Sequence, residues 1–273
     1  MIEINLRNKI ALICGASGGG IGSAVARSFA EAGATLAVVD QSAQLNDATR
    51  GAIAAYGVPC ETFVADLADP RQAAQVIDSV WGRMGAIDML VNVAGGTKAR
   101  QWYKSEDARD EDFHDVFALN LAYVYRLCAD IGRRMIERGV GGSIVNVASI
   151  SGLRSAPFHG HYGAAKAGVI ALTQTMAVEW APHRIRVNAV APGSVLSPRV
   201  AALGKGPAHF DTASDGRRSL DPSEIAKGIL FLSSDLASGV SGQTLTIDAG
   251  LACGNPVGTL VEMAALMPKN PGG

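Results

Sequence analysis

Residues 10–32 constrain the fold more than any other stretch. Ile10-Ala-Leu-Ile-Cys14 is a short apolar run that reads as a buried strand. Gly15-Ala-Ser-Gly-Gly-Gly-Ile-Gly22 follows as a turn, and Ser23 to Ala32 then has helical spacing. A buried strand feeding a helix through a glycine turn is half of a crossover unit, which pairs strands in parallel and covers the sheet with helices. The same unit makes a phosphate site. Glycines let the backbone approach a pyrophosphate, and the helix start offers free N–H groups and the positive end of its dipole. The candidate contacts are Gly15, Ser17, Gly20, Ile21 and Gly22.

The pattern repeats down the chain. Thr35–Asp40, Glu61–Leu67, Met89–Gly95, Gly142–Ser149, Ile185–Ala191 and Thr244–Asp248 read as further strands. Between them Ser42–Ala55, Pro70–Met84, Asp110–Arg138, Tyr162–Pro182 and Pro222–Ser233 read as helices. Pro70 suits a first helical position, and Asp221 or Ser223 is available as a cap. This alternation predicts an α/β fold: a doubly wound parallel sheet, Rossmann-like, of seven strands with helices on both faces. At 273 residues and 48% hydrophobic content, the chain can bury a core of that size. No composition shift marks a boundary, so residues 1–250 read as a single dinucleotide-binding and catalytic domain and residues 251–273 as a C-terminal tail. Leu196 to Leu220 shows no apolar period and reads as an irregular loop that closes over substrate. The tail holds only a short apolar run at Leu260–Met267.

Composition excludes several classes of function. The net charge is -1 with no basic stripe, so nucleic acid is not an expected partner. No apolar run reaches the ~18 residues of a membrane helix. Met1 to Lys9 has no long apolar region behind basic residues, so no secretory signal is visible. The four cysteines lack CxxC spacing and read as reduced packing residues, which fits a cytoplasmic protein. The five histidines show no ligand spacing with acids or cysteines, so no metal is expected.

Ligands of such sheets sit outside the carboxyl ends of the strands. Asp40 ends the second strand, where a carboxylate accepts hydrogen bonds from ribose hydroxyls and repels a 2′-phosphate. Gln41 and Ser42 follow, not Arg or Lys, which favours NAD over NADP. Asp66, Leu67, Asn92, Ala94, Gly95, Pro192 and Gly193 fall at other strand ends. Ser149 closes the fifth strand, and Tyr162 and Lys166 begin the following helix four residues apart, on one face. An ammonium near a phenol lowers the phenol's pKa from its usual ~10, so that it can exchange a proton with an alcohol or carbonyl near neutral pH.

Over residues 5 to 250 the chain resembles the short-chain dehydrogenase/reductase family, in its common single-domain type. The glycine turn resembles that family's TGxxxGxG, with Cys14 for Thr and one extra glycine, so that Gly20 and Gly22 stand as its second and third glycines. Asp66-Leu67 matches the pair that flanks adenine, and Asn92-Val-Ala-Gly95 the NNAG segment with Val93 for Asn. Pro192-Gly-Ser-Val-Leu-Ser197 matches the PG-x-x-x-T stretch, with Ser197 for Thr, which adds Val195 and Ser197 to the cofactor contacts. Ser241 to Gly250 resembles the closing strand, with Ala249 where a second glycine is usual. Asn120, Ser149, Tyr162 and Lys166 match the catalytic tetrad in order and spacing. The resemblance implies an NAD(H)-dependent oxidoreductase. Tyr162 is its general acid/base, Lys166 lowers the Tyr162 pKa and holds the nicotinamide ribose, Ser149 binds the substrate oxygen, and Asn120 holds a water that links Lys166 to solvent. It also implies a homotetramer, or a dimer, built from the helices around Asp112–Arg138 and Tyr162–Trp180, with the tail across a neighbouring subunit.

The expected substrate is a small alcohol or ketone, mostly apolar with one polar group. Its candidate contacts are Trp102, Ser151, Arg154, His159 and Leu196. Two other readings differ from a secondary-alcohol dehydrogenase. One is a 3-oxoacyl-[acyl-carrier-protein] reductase using NADPH, which Asp40 opposes. The other is a non-catalytic NAD-binding sensor or scaffold, which would have no need of Tyr162 and Lys166 in register.

Overall fold

A computed structural model describes residues 3–198 and 218–253. Its strands β1 (Ile10–Cys14), β2 (Thr35–Asp40), β3 (Cys60–Val64), β4 (Met89–Asn92), β5 (Gly142–Val147), β6 (Ile185–Pro192) and β7 (Thr244–Ile247) form one sheet in the order β3-β2-β1-β4-β5-β6-β7. Every neighbouring pair is parallel. The strand order reverses between β1 and β4, and such a switch point opens a crevice at the strand carboxyl ends.

Side chains alternate across this sheet, as a pleated strand requires. From β1, Leu12 and Cys14 join one core with α3 (Pro70–Met84), α5 (Tyr123–Arg138) and α6 (Gly160–Trp180). Ala11 and Ile13 join the opposite core with α1 (Ile21–Glu31), α2 (Ala43–Ala54) and α7 (Pro222–Ser233). Each fully buried Leu or Ile contributes about 1.5–3 kcal/mol, so both faces of the sheet hold the helices that carry the site.

Local chemistry sets the ends of these helices. The Ser42 hydroxyl accepts the Leu45 N–H, and the Asp69 carboxylate accepts from Arg71 and Gln72 just ahead of Pro70. Asp221 and Glu224 form a reciprocal capping box at α7. Most expected elements stand within a few residues of their predicted bounds. β3 and β4 stop earlier than expected, at Val64 and Asn92, because the chain must leave the sheet there to line the crevice. The stretch expected as one helix over Asp110–Arg138 is α4 (Asp110–Phe117) and α5 joined by a π turn at Ala118–Ala122. Most of the Leu196–Leu220 loop, and the Leu260–Met267 run, lie outside the described residues. Of that loop, Leu196 and Leu220 hydrogen-bond through their backbones. No helix among the described residues is long and apolar enough to cross a membrane.

Candidate active site

At the carboxyl ends of β1, β2, β4, β5 and β6 lies a cavity of about 470 Å³. Its floor begins at the glycine turn, where Gly15, Ser17, Gly20, Ile21 and Gly22 all line it. Gly20 caps α1, and a Cβ on Gly22 would lie 1.8 Å from the Gly15 carbonyl oxygen. Only glycine allows that approach of helix to turn. The extra residue is absorbed just before, where Gly18 and Gly19 both take positive φ, at 83° and 71°. The Gly19 N–H donates to the Ser23 hydroxyl, which in turn donates to the Ala16 carbonyl.

One support of this turn was not foreseen. Asn46 on α2 is buried, its amide donates to the Phe63 carbonyl at 2.7 Å, and its oxygen accepts from Ser17 Oγ at 3.3 Å. The signal was a polar residue on the buried stripe that Asn46 shares with Thr49 and Ile53. Asp40 lines the cavity where β2 ends, with Asp66 and Leu67 next to it beyond β3. Ala94, Gly95, Pro192, Gly193, Val195 and Ser197 complete the expected lining. Gln41, Val93 and Gly96 line it too, and Gly18, Leu45 and Leu119 line it without having been singled out.

Asn92 corrects one expectation. It is fully buried beneath the cavity and does not line it. Its amide donates to Asn146 Oδ1 at 2.9 Å and lies 3.3 Å from Cys128 Sγ, and Asn146 donates to Thr173 Oγ1 at 3.0 Å. β4 and β5 pair with Asn92 opposite Asn146, so the Asn92 amide N–H meets the Asn146 oxygen inside the core, while Asn92 Oδ1 has no hydrogen-bond partner among the described residues.

Tyr162, Lys166 and Ser149 meet on the far side of the cavity. The Lys166 ammonium sits 5.8 Å from the centre of the Tyr162 ring and donates to the Val147 carbonyl at 2.8 Å. It is 2% exposed, and burial brings its pKa down from 10.5 to about 7. The lysine therefore holds its proton weakly at neutral pH, because water is excluded from a charge whose one hydrogen-bond acceptor among the described residues is a carbonyl. The Ser149 hydroxyl accepts the Ser151 N–H at 3.1 Å, which keeps it at the end of β5.

Asn120 lies within the π turn, buried, and does not itself line the cavity. Its amide donates to the carbonyls of Val116 and Gly96, and its oxygen accepts the Gly96 N–H at 2.6 Å. Both amide hydrogens are thus committed to backbone, and the side chain fixes the Gly95–Gly96 turn. Gly95 is pressed against the same groups, since a Cβ there would be 2.7 Å from Asn120 Oδ1 and 3.2 Å from Lys166 Nζ. The wide turn is what lets a helix-interior Asn reach a neighbouring loop, a common use of π geometry at functional sites.

None of the five candidate substrate contacts lines this cavity. Trp102, Ser151 and His159 do come together beside Tyr162, with the His159 and Tyr162 ring centres 5.7 Å apart. Arg154 instead donates to the Leu251 carbonyl, tying the β5 loop to the chain after β7. Leu196 is 37% exposed and pairs with Leu220. His161 stacks on Tyr103 as a packing residue. Among the described residues no group of His, Cys, Asp and Glu could hold a metal ion.

The lining fits a nicotinamide dinucleotide. It has glycines packed too closely for any side chain, a helix N-terminus behind them, and an acid at the end of β2. Comparisons with known proteins point the same way. Residues 15–252 match the family model described as Enoyl-(Acyl carrier protein) reductase. The chain is 34% identical over 257 residues to a D-threitol dehydrogenase of Mycolicibacterium smegmatis, covering 91% of this chain and 94% of that one. It is 37% identical over 254 residues to a 3-oxoacyl-[acyl-carrier-protein] reductase of Thermotoga maritima, covering 91% and 99%. The crystal structure of a short-chain type dehydrogenase/reductase from Mycobacterium marinum superposes with a TM-score of 0.85 at 34% identity, covering 92% of this chain and 98% of that one.

Proposed function

Because the chain belongs to the short-chain dehydrogenase/reductase family of oxidoreductases, we propose that it interconverts a secondary alcohol and its ketone with NAD(H), using Tyr162 as the general acid/base. The observation that carries this reading is the placement of Tyr162 and the buried Lys166 on one face of α6, opening onto the cavity that begins at the glycine turn. A bound nicotinamide cofactor supplies the hydride chemistry. The chain's own groups supply the rest. Tyr162 gives or takes the proton at the reacting oxygen. Ser149 donates a hydrogen bond to that oxygen as charge develops. Lys166, when protonated, favours the phenolate of Tyr162. Asn120 keeps the Gly95–Gly96 turn against both.

Asp40 supports NAD over NADP, because it lines the cavity where β2 ends, with Gln41 also in the lining, and a carboxylate there would repel a 2′-phosphate. A second reading is a 3-oxoacyl-[acyl-carrier-protein] reductase using NADPH, favoured by the 37% identity to the Thermotoga maritima enzyme. Assembly into a homotetramer, or a dimer, is part of the proposal. Phe113, Tyr125 and Val178 stand exposed on α4, α5 and α6, the helices expected at an interface.

The test is to titrate NADH and NADPH, then assay secondary alcohols and ketones with wild type and Tyr162→Phe. We expect NADH to bind more tightly, and Tyr162→Phe to lose about 10²–10⁴-fold in turnover while still binding NADH. Preference for NADPH would overturn the role given to Asp40, and turnover that survives in Tyr162→Phe would overturn the role given to Tyr162.

A further inference from the structure

Beside Tyr162, and outside the lining of the cavity, the chain builds a polar ledge that the proton-transfer scheme does not use. Ser151 Oγ lies 3.3 Å from His159 Nε2, and the other ring nitrogen, Nδ1, lies 2.8 Å from the Pro157 carbonyl oxygen. A carbonyl oxygen only accepts, so Nδ1 carries a proton. In the neutral ring Nε2 is then an acceptor, and the Ser151 hydroxyl donates to it. With its proton committed, Ser151 Oγ offers lone pairs to anything else beside it.

The ledge is held in place from several directions. His159 stacks on Trp102 with ring centres 4.1 Å apart, and Trp102 Nε1 donates to Thr97 Oγ1 at 2.9 Å. The Tyr103 N–H donates to the Phe158 carbonyl at 2.8 Å, which joins the loop after β4 to the loop after β5. Phe158 itself takes φ 67°, a left-handed conformation that is unfavourable outside glycine and that clusters at binding sites. The same turn holds Ser149, whose hydroxyl accepts the Ser151 N–H.

We propose that this ledge is a hydroxyl subsite, and that the substrate class is a vicinal diol together with its α-hydroxy ketone. Ser151 Oγ accepts a hydrogen bond from the hydroxyl on the carbon next to the reacting one. His159 is a positioning residue that acts through Ser151. The inference rests on the oxidoreductase reading above. In the oxidation, one CH–OH becomes C=O: the carbon gives its hydride to the oxidised nicotinamide, the hydroxyl proton goes to Tyr162, and the second hydroxyl is unchanged. A substrate without that second hydroxyl leaves the Ser151 lone pairs desolvated and unmatched, a loss of about 5- to 150-fold in an equilibrium by the usual cost of an unpaired polar group.

The test compares kcat/KM for the stereoisomers of 2,3-butanediol with those for the enantiomers of 2-butanol, at saturating NAD. It uses wild type, Ser151→Ala and His159→Phe; the latter keeps a ring for Trp102 and removes the acceptor. NADH binding by fluorescence reports that each variant is folded. We expect wild type to prefer the diol by about 10- to 100-fold, and both variants to bring that ratio within about threefold of one. A wild-type ratio near one overturns the subsite while leaving the oxidoreductase reading in place. Variants that slow both substrates in parallel, with the ratio kept, also overturn it. Failure to oxidise either compound, or to reduce 3-hydroxy-2-butanone or 2-butanone, by a protein that binds NADH removes the oxidoreductase reading and the subsite together.

Discussion

Replacing Lys166 with methionine should abolish turnover and make the cofactor-free protein more stable. The side chain is 2% exposed, its nitrogen donates to the Val147 carbonyl, and burial holds its pKa at about 7 against 10.5 in the open. A group whose folded pKa is depressed below its unfolded value binds fewer protons in the folded state between those two values, so wild-type stability rises with pH across that window. Below pH 7 the whole difference counts against folding, roughly 4–5 kcal/mol at 1.36 kcal/mol per pH unit. By about pH 9.5 the unfolded lysine is nearly ready to lose its own proton, and roughly 1–1.5 kcal/mol remains. Methionine matches the length of the lysine stem and carries no charge. The stability gap between Lys166→Met and wild type should therefore be largest near pH 6 and close by roughly 3 kcal/mol on going to about pH 9.5. Titrating groups that do not interact with Lys166 are common to the two proteins and cancel in the difference; Tyr162, its ring centre 5.8 Å from the ammonium, is the neighbour that does not. Urea unfolding of both proteins, without cofactor, at a series of pH values measures it. Parallel pH profiles, or a variant less stable than wild type near pH 6, would refute the desolvation argument.

Two further changes probe the backbone of the site. Gly22→Ala places a Cβ 1.8 Å from the Gly15 carbonyl oxygen, so it should cost about 1–3 kcal/mol of stability and weaken NADH binding, read by denaturation and fluorescence titration. Asn120→Ala removes three hydrogen bonds to the backbone of Val116 and Gly96, and should lower stability by about 2–4 kcal/mol and kcat more than the NADH dissociation constant. A stable variant with normal kcat would show that the π turn holds the Gly95–Gly96 loop without that side chain.

Much of the cavity was legible because its members follow from local pattern. Apolar runs fixed the strands, strand ends gave Asp40, Asp66 and Ser149, and the spacing of Tyr162 and Lys166 put both on one helix face. What local pattern does not carry is register and reach. Asn92 ends a strand as Asp40 does, yet the pairing of β4 with β5 sets it opposite Asn146 in the core. Arg154 sits in the β5 loop but spends its guanidinium on the Leu251 carbonyl, 97 residues away in sequence. The π turn at Ala118–Ala122 is also silent in the sequence, because the hydrogen bonds it permits join Asn120 to Gly96, 24 residues earlier in the chain.

The two halves of the site are built from different materials, and this bears on what each can vary. The proposed cofactor half is glycine backbone packed against its neighbours. Gly22 against Gly15, and Gly95 against Asn120 and Lys166, leave no room for side chains, so change there disturbs the sheet and the helices together. The proposed substrate half is two loops, residues 96–103 and 150–159, joined by the Tyr103–Phe158 hydrogen bond and the stack of Trp102 on His159. Neither contact touches the sheet, so these loops can change what they recognise while β1 to β6 keep the proton-transfer groups in place. The left-handed Phe158 fits that division. Its carbonyl accepts the Tyr103 N–H that joins the two loops, so the left-handed residue sits at their junction.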